Sequence, residues 1–240
     1  MTTLICGSTG AVGSALSRIL TSSSVPVALT STCSEKLSAL ASSLPSPPSS
    51  THVVDFTSPE TVSDQLASLD VKSVKHLVYC VGNARLKPLR SITPEEVVAD
   101  FNLNCASAIT TVQTVLPGLK KNKGSVTLFS TVAVRQGFAR HVSVSSAKGA
   151  VEGLTLSLAA ELAPHVRVNC VAPSLIDGST VAAPFTGDEK MKAAVGKMHP
   201  LQRLGDAEGV AKAAAFLSGE DAGWVTGQVW GVDGGRSTLR

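Results

Sequence analysis

Aromatic and charged residues are both scarce in this chain of 240 residues. Phe, Trp and Tyr make up 4% of the sequence, and Asp, Glu, Lys and Arg make up 16%, whereas about 25% charged residues is usual. Hydrophobic residues nevertheless reach 43%, so the composition excludes a chain that is disordered throughout. With so few aromatic rings, the core has to be built from Ala, Val, Leu and Ile.

The sequence also lacks a long hydrophobic run and an excess of either charge. No stretch approaches the ~18 apolar residues of a membrane helix, and the opening Thr3-Leu4-Ile5-Cys6-Gly7 is not the pattern of a signal peptide. The formal net charge of +3 is too balanced for a nucleic-acid-binding or membrane-surface protein. We therefore expect a cytoplasmic protein with neither nucleic acid nor membrane as a partner.

Paired cysteines and metal-ligand spacings are missing as well. The five cysteines stand far apart in the sequence, at Cys6, Cys33, Cys80, Cys105 and Cys170. No two of them form a Cys-x-x-Cys pair, and the five histidines are scattered, so no metal site is predicted. An odd number of distant cysteines indicates reduced thiols, which is typical of a reducing compartment.

What the chain does contain is a series of short apolar runs rich in β-branched residues. These runs lack polar–apolar alternation, which is the pattern of strands buried on both faces of a sheet. We predict strands over Leu4–Cys6, Val25–Leu29, His52–Val54, Leu77–Val81, Ser125–Phe129, Val166–Val171 and Gln228–Val232.

Helical segments lie between these runs. Thr57–Glu60 and Thr93–Glu96 both fit capping boxes, and longer helices are predicted around Val97–Leu119 and over His141–Leu162 and Ala207–Leu217. Alternating strands and helices favour parallel pairing with right-handed crossovers. The predicted fold is therefore α/β, a Rossmann-like, doubly wound sheet of about seven parallel strands in three αβα layers. We expect it to form a single domain over residues 1–240.

One segment departs from this alternation. Residues 174–200 follow the sixth predicted strand and show weak periodicity. A loop of that length inside a compact domain is usually functional. We therefore predict that it is a substrate loop.

A glycine-rich turn joins the first predicted strand to the first helix. Its glycines permit a tight turn and a close approach of the backbone to a pyrophosphate at the helix N-terminus. The turn therefore predicts a dinucleotide cofactor, with contacts from Gly7, Ser8, Thr9, Gly10, Val12 and Gly13.

The end of the second strand bears on which dinucleotide binds. NAD sites usually place a carboxylate there, on the ribose 2′-hydroxyl, but this strand runs out into Thr30-Ser31-Thr32-Cys33 without an acid or an arginine. The hydroxyls of Ser31 and Thr32, with Lys36 close by, suit a 2′-phosphate. We expect NADP in preference to NAD.

From the glycine turn onwards, the sequence resembles the short-chain dehydrogenase/reductase family over nearly its whole length. Leu77–Gly82 occupies the place of the family's Asn-Asn-Ala-Gly segment but keeps only its last glycine. The other matching segments are Val53–Thr57, Phe101–Asn104, Gly124–Thr131, Arg167–Pro173, Pro200–Gly205 and Thr226–Gly235. They follow one another in the family's order, and together they are highly specific.

The resemblance implies cofactor contacts beyond the glycine turn. The carboxylate of Asp55, next to Phe56, would contact the adenine, and Lys148 would bond the nicotinamide ribose. Ser174 replaces the glycine that is usual after Pro173. The remaining implied contacts fall on Val81, Gly82, Pro173, Ser174 and Ile176.

The resemblance also implies a catalytic set from which one member is missing. The family places a Tyr four residues before a Lys, so that the ammonium lowers the pKa of the phenol. Here Lys148 is present, but Val144 stands four residues before it. Thr131, thirteen residues before Val144, takes the place of the family's Ser. The only tyrosine is Tyr79, in the fourth predicted strand.

The active-site asparagine has two candidates, Asn102 and Asn104. In the family, a Gln follows that asparagine by nine residues and a Pro follows it by thirteen. Gln113 and Pro117 therefore identify Asn104.

The first interpretation is an NAD(P)-dependent oxidoreductase that acts on a small-molecule carbonyl, imine or related group with a replacement acid. His141 lies three residues before Val144 and seven before Lys148, so it shares their helical face, and a histidine titrates near neutral pH. A water held by Thr131, Asn104 and Lys148 is the other possible proton donor.

Two alternatives stay open. One is a non-redox isomerase, lyase or cyclase, in which an anionic substrate is bound by Arg135, Arg140, His141 and His199. The other is a cofactor-binding or scaffolding subunit without activity, since fold does not imply function. For all three interpretations, the resemblance implies a homodimer or homotetramer, paired through the helices around Val97–Leu119 and His141–Leu162 across a two-fold axis.

Overall fold

All seven strands of the protein run parallel in one sheet. The computed structural model describes residues 1–239. Its strands are β1 (Thr2–Cys6), β2 (Val27–Ser31), β3 (Ser50–Val53), β4 (Val74–Tyr79), β5 (Ser125–Phe129), β6 (Arg167–Pro173) and β7 (Val229–Val232). They follow the order β3-β2-β1-β4-β5-β6-β7, and every neighbouring pair is parallel. The chain order reverses direction between β1 and β4, so a crevice opens there at the carboxyl ends of the strands.

Helices connect successive strands. They are α1 (Ala11–Ser22), α2 (Ser34–Ser43), α3 (Val62–Gln65), α4 (Pro94–Phe101), α5 (Ser107–Lys121), α6 (Ala133–Gln136), α7 (Val142–Leu162), α8 (Glu189–Gly196) and α9 (Ala207–Ser218). A π-helical turn at Asn102–Ala106 joins α4 to α5. The helix predicted around Val97–Leu119 therefore has a wide turn inside it, while the helices predicted over His141–Leu162 and Ala207–Leu217 are confirmed within one residue.

Side chains of β1 alternate between two apolar layers. Leu4 and Cys6 of β1 pack with residues of α3, α5 and α7 on one face of the sheet. Ile5 packs on the other face with residues of α1, α2 and α9, among them Leu16, Leu37 and Val210. Because both faces are covered, the strands carry continuous apolar runs. The predicted three-layer αβα fold is confirmed.

The two predicted capping boxes have different outcomes. At α4, Thr93 Oγ1 accepts from the Glu96 N–H at 3.3 Å, and Glu96 Oε2 accepts from the Thr93 N–H at 3.2 Å, so that box is confirmed. The box at Thr57 is wrong, because a 3₁₀ turn begins at Pro59 instead. The Thr57 N–H and hydroxyl both donate to Asp55 Oδ1, at 2.9 and 2.7 Å. The Asp55 carboxylate is a stronger acceptor than a neutral oxygen, so it engages the Thr57 hydroxyl that would otherwise cap the helix.

Residues 174–200 fold back over the carboxyl edge of the sheet. They contain α8, whose first turn is capped by Asp188 Oδ1, 2.7 Å from the Met191 N–H. A parallel bridge between Ile176 and Gly205 holds the start of this segment, and Lys192 pairs with Asp177 at 2.5 Å.

Within residues 1–239, no helix combines the length and the apolar character that crossing a bilayer requires.

Candidate active site

The glycine turn leaves its helix end open to a ligand. Gly7 has a φ of +72°, which lets the chain reverse directly after β1. A Cβ on Gly13 would lie 2.3 Å from the Gly7 carbonyl oxygen, so only glycine allows α1 to pack this close to the turn. Gly10 caps α1 without any side-chain hydrogen bond. The first N–H groups of α1 are therefore available to an anion.

Hydrogen bonds tie this turn to the end of β2. The Ser8 hydroxyl donates to the Thr30 carbonyl at 2.9 Å and is fully buried. Thr9 Oγ1 lies 2.8 Å from Ser31 Oγ. Ser8 thus has a role inside the fold, whereas Thr9 and Ser31 form a pair of hydroxyls between the turn and the strand end. Thr32, the next residue, is exposed.

A cleft of about 450 Å³ lies at the carboxyl ends of the strands. Eleven of the predicted site residues line it: Gly10, Val12, Gly13, Val81, Gly82, Thr131, His141, Lys148, Pro173, Ser174 and Ile176. Eight others lie outside its lining: Gly7, Ser8, Thr9, Ser31, Thr32, Asp55, Phe56 and Asn104. The cleft therefore unites the helix end of the glycine turn with three of the four predicted catalytic residues, Thr131, His141 and Lys148.

Asp55 and Phe56, which were predicted near the adenine, lie outside the cleft lining. The Asp55 carboxylate is exposed but bonds to Thr57. The Phe56 side chain is 2% exposed and packs edge-on against Tyr79, with ring centroids 5.4 Å apart. Because the ring belongs to the core, only the Phe56 backbone is left to contact a ligand. Burial also raises the pKa of Tyr79, whose hydroxyl donates to the Leu103 carbonyl at 2.8 Å.

Lys148 is buried at the cleft. Its Nζ donates to the Phe129 carbonyl at 2.8 Å, and burial lowers its pKa to about 8. Val144 lies one helical turn earlier on α7, lines the same cleft and is 4% exposed. These two residues thus lie on one face of α7, as their i, i+4 spacing predicts. Val144 offers no polar atom to the cleft.

Asn104 comes from the π-helical turn between α4 and α5. Its Nδ2 donates to the Asp100 carbonyl at 2.8 Å and to Asn83 Oδ1 at 3.1 Å, while its Oδ1 is buried without a partner. A Cβ on Gly82 would lie 2.7 Å from that Oδ1 and 2.9 Å from Lys148 Nζ. Leaving a buried carbonyl unpaired costs about 1–3 kcal/mol, so the arrangement suits a water or ligand group between the two polar atoms.

Sequence reasoning missed the acid that holds this region together. Asp100 of α4 is fully buried. Its Oδ1 accepts from Asn83 Nδ2 at 2.7 Å and from Arg85 Nε at 3.3 Å, and its Oδ2 accepts from the Ser143 hydroxyl at 2.5 Å. The carboxylate therefore joins α4 to the first turn of α7. An acid four residues before Asn104 on the same helix was the only signal in the sequence.

The hydroxyl of Thr131 is available at the cleft. It accepts from the Ala133 N–H at 3.3 Å, and no acceptor for its own hydrogen occurs among residues 1–239. The adjacent Ser130 donates to Glu152 Oε1 at 2.7 Å and is 4% exposed. Thr131, and not Ser130, is therefore the hydroxyl that faces a ligand.

The basic residues predicted to meet an anion separate into two groups. His141 and His199 line the cleft. His141 Nδ1 lies 2.8 Å from the Ala139 carbonyl, which leaves Nε2 for a ligand. Arg135 and Arg140 lie outside the lining and are exposed. Arg135 donates to the Val229 carbonyl at 3.3 Å, and Arg140 donates to the Leu86 carbonyl at 3.5 Å.

Cysteine chemistry does not suit this cleft. All five cysteines are unpaired, and burial raises the pKa of Cys80, which lines the cleft, to about 12. A thiol at that pKa is not a nucleophile near neutral pH. In the part of the chain that the structure covers, no three His, Cys, Asp or Glu side chains group as metal ligands would.

The chain is similar in sequence and in structure to known oxidoreductases. Residues 8–237 match a family model described as enoyl-(acyl carrier protein) reductase. The chain is 32% identical over 169 residues to 2,3-dihydroxy-2,3-dihydro-p-cumate dehydrogenase of Pseudomonas putida, covering 70% of this chain and 65% of that protein. It is 34% identical over 174 residues to tropinone reductase-like 3 of Erythroxylum coca, covering 71% and 67%. Among solved structures, ElxO with NADP bound superposes with a TM-score of 0.88 at 26% identity, covering 98% of both chains.

Proposed function

Because the chain belongs to the short-chain dehydrogenase/reductase family, we propose that it is an NAD(P)-dependent oxidoreductase of a small-molecule carbonyl, imine or related group. The observation that carries the proposal is Lys148. A buried ammonium is costly, and this one shares its cleft with a glycine-flanked helix end. Strongly shifted groups in a cleft mark functional sites more often than structural ones.

The residues at the cleft fit a nicotinamide dinucleotide. Gly10, Gly13 and Gly82 line the cleft, so backbone without side chains faces the places where a pyrophosphate and a nicotinamide ribose would lie. The first turn of α1 would bind the pyrophosphate, and Lys148 would bond the ribose. When bound, this cofactor supplies or accepts the hydride. The chain's own residues would orient both reactants, exclude bulk water and supply or accept one proton.

The proton has to come from an atypical donor, because Val144 has no acidic group. We assign it to a water held between Lys148 Nζ, Asn104 Oδ1 and the Thr131 hydroxyl, since Asn104 Oδ1 is buried without a partner. His141, with its Nε2 available at the same cleft, is the second candidate. Segment 174–200 would act as the substrate loop, and the five unpaired cysteines favour a cytoplasmic location.

Cofactor binding and turnover test this proposal together. Purified protein is titrated with NADPH and with NADH while nicotinamide fluorescence is followed, and is then assayed against a panel of carbonyls, imines and enones. We expect binding and slow reduction. Failure to bind either cofactor contradicts the proposal. Binding without turnover of any substrate favours a cofactor-binding or scaffolding subunit instead. A His141→Ala variant with unchanged turnover removes His141 as the donor and leaves the water.

Cofactor preference is tested at the end of β2. Thr32→Asp is expected to weaken NADPH binding about tenfold or more, because a carboxylate next to the 2′-phosphate adds like-charge repulsion. NADH binding should be unchanged or tighter, since a carboxylate there can accept from the 2′-hydroxyl. Ser49→Asp is the control, because it adds the same charge at another exposed position. Ser49 directly precedes β3 and so lies at the amino ends of the strands, away from the cleft. Equal weakening of both cofactors would refute the preference for NADP.

We also propose a homodimer or homotetramer formed through the helices α4 and α5, around residues 97–119, and α7. Four large apolar side chains of α4 and α7 are exposed: Val98, Phe101, Val142 and Leu156. Light scattering at micromolar concentration is expected to give two or four times the monomer mass, and Leu156→Arg should lower it. A monomeric mass for the unmodified protein would contradict this assembly.

A further inference from the structure

The ionisable groups that line the cleft, apart from the thiol of Cys80, are all basic. They are Lys148, His141, His199 and Arg236, and no Asp or Glu of the described residues belongs to the lining. Lys148 is accounted for by the proposed cofactor site. The other three lie with apolar residues of the substrate loop, including Val181, Phe185 and Met198. One part of the cleft therefore combines an apolar wall with positive charge.

Arg236 is held in place by the segment that follows β7. The Asp233 carboxylate fixes this segment by accepting from the N–H groups of Gly235 at 2.9 Å and Ser237 at 3.0 Å. The Arg236 guanidinium donates through Nη1 to the Met198 carbonyl at 2.6 Å and lies 5.1 Å from the centroid of the Phe138 ring. Within residues 1–239, no carboxylate forms an ion pair with it. The backbone bond to Met198 and the Phe138 ring thus hold its charge at the cleft.

A second polar pair lies beside this arginine. His199, one residue after Met198, is 2% exposed. Its Nε2 lies 2.8 Å from the Ser174 hydroxyl, and its Nδ1 lies 3.1 Å from the Val195 carbonyl. Both Ser174 and His199 line the cleft. Because a carbonyl can only accept, Nδ1 carries the ring proton and Nε2 accepts from the Ser174 hydroxyl. Polar groups from the end of β6, the turn after α8 and the C-terminal segment therefore meet at one place, and Arg236 supplies the N–H donors there.

We propose that this place binds the carboxylate of an otherwise apolar substrate, with Arg236 as the residue that determines specificity. A guanidinium presents its donors in a planar fork that matches a carboxylate, and the apolar wall would take the rest of the molecule. The proposal rests on the proposed function only in that the substrate shares its cleft with the cofactor.

The test compares two ligands that differ in one charge. 4-Formylbenzoate and methyl 4-formylbenzoate are titrated calorimetrically into the protein at pH 7, with NADP⁺ and without it. We expect the acid to bind at least about tenfold more tightly than the ester, because only the acid can accept charge-assisted hydrogen bonds from the guanidinium. Arg236→Gln should remove that difference and leave ester binding nearly unchanged, while Arg236→Lys should keep part of it.

Arg18→Gln is the matched control, because this arginine is exposed on α1 and lies outside the cleft lining. It should leave the acid-to-ester ratio unchanged. Equal binding of acid and ester by the unmodified protein overturns the proposal, and so does an unchanged ratio in Arg236→Gln. A loss of acid and ester binding alike in that variant assigns Arg236 a purely structural role and also overturns it. Failure of the proposed function would be seen separately, as no change in nicotinamide fluorescence when NADPH is added. The ratio of acid to ester affinity could still be measured in the cofactor-free protein.

Discussion

Val144→Tyr is expected to raise the rate of carbonyl reduction by about 10²–10⁴-fold, which is the usual contribution of a positioned general acid. This corresponds to about 3–5 kcal/mol of activation free energy. Val144 lines the cleft one helical turn before Lys148. A phenol at this position would enter a site in which Lys148, Thr131 and Asn104 already stand. The neighbouring ammonium would lower the pKa of the phenol.

Val144→Phe is the control for this experiment, because it adds the same ring without the hydroxyl. Turnover in Val144→Phe should stay at or below that of the unmodified protein. If Val144→Tyr fails to exceed Val144→Phe, the remaining residues do not form a prepared acid–base site. In that case the phenol would be buried without a partner, and thermal unfolding should reveal a loss of about 1–3 kcal/mol of stability.

Lys148→Met is expected to abolish turnover and yet to make the cofactor-free protein more stable. Burial lowers the pKa of Lys148 from its usual 10.5 to about 8, so the folded protein holds this proton less tightly than the unfolded chain does. The resulting penalty is fully present below pH 8 and disappears as the pH rises towards the unfolded value. At pH 7 it amounts to about 3 kcal/mol at most, and an apolar side chain of similar length removes it.

Urea unfolding of both proteins at pH 7 and near pH 10 measures this effect. The gain in the free energy of unfolding should be largest at pH 7 and should shrink at the higher pH. Lys120→Met, at an exposed position of α5, should change stability by no more than about 0.5 kcal/mol. A Lys148→Met protein that is less stable at pH 7, or that binds NADPH as well as the unmodified protein, would show that the ammonium is not a strained functional group.

The sequence by itself determined the sheet, the glycine turn and the spacing of Val144 and Lys148 on α7. Strands buried on both faces appear as continuous apolar runs, and a helix places residues four apart on one face whatever surrounds it. The spacing of Lys148 and Val144 was therefore enough to place them together. The capping box at Thr93 was predictable for the same reason, since all its atoms lie within one helical turn.

Only the tertiary structure decided the contacts between distant segments. Asp100 meets Ser143 across 43 positions of sequence, and Arg236 reaches Met198 across 38. Neither pair has a local spacing that would reveal it. Phe56 was predicted as a cofactor contact from its position after the third strand, but only the tertiary structure shows that its ring packs in the core with residues of α5. The charge at the cleft has the same origin: three segments far apart in sequence bring their basic groups together only when the sheet is complete.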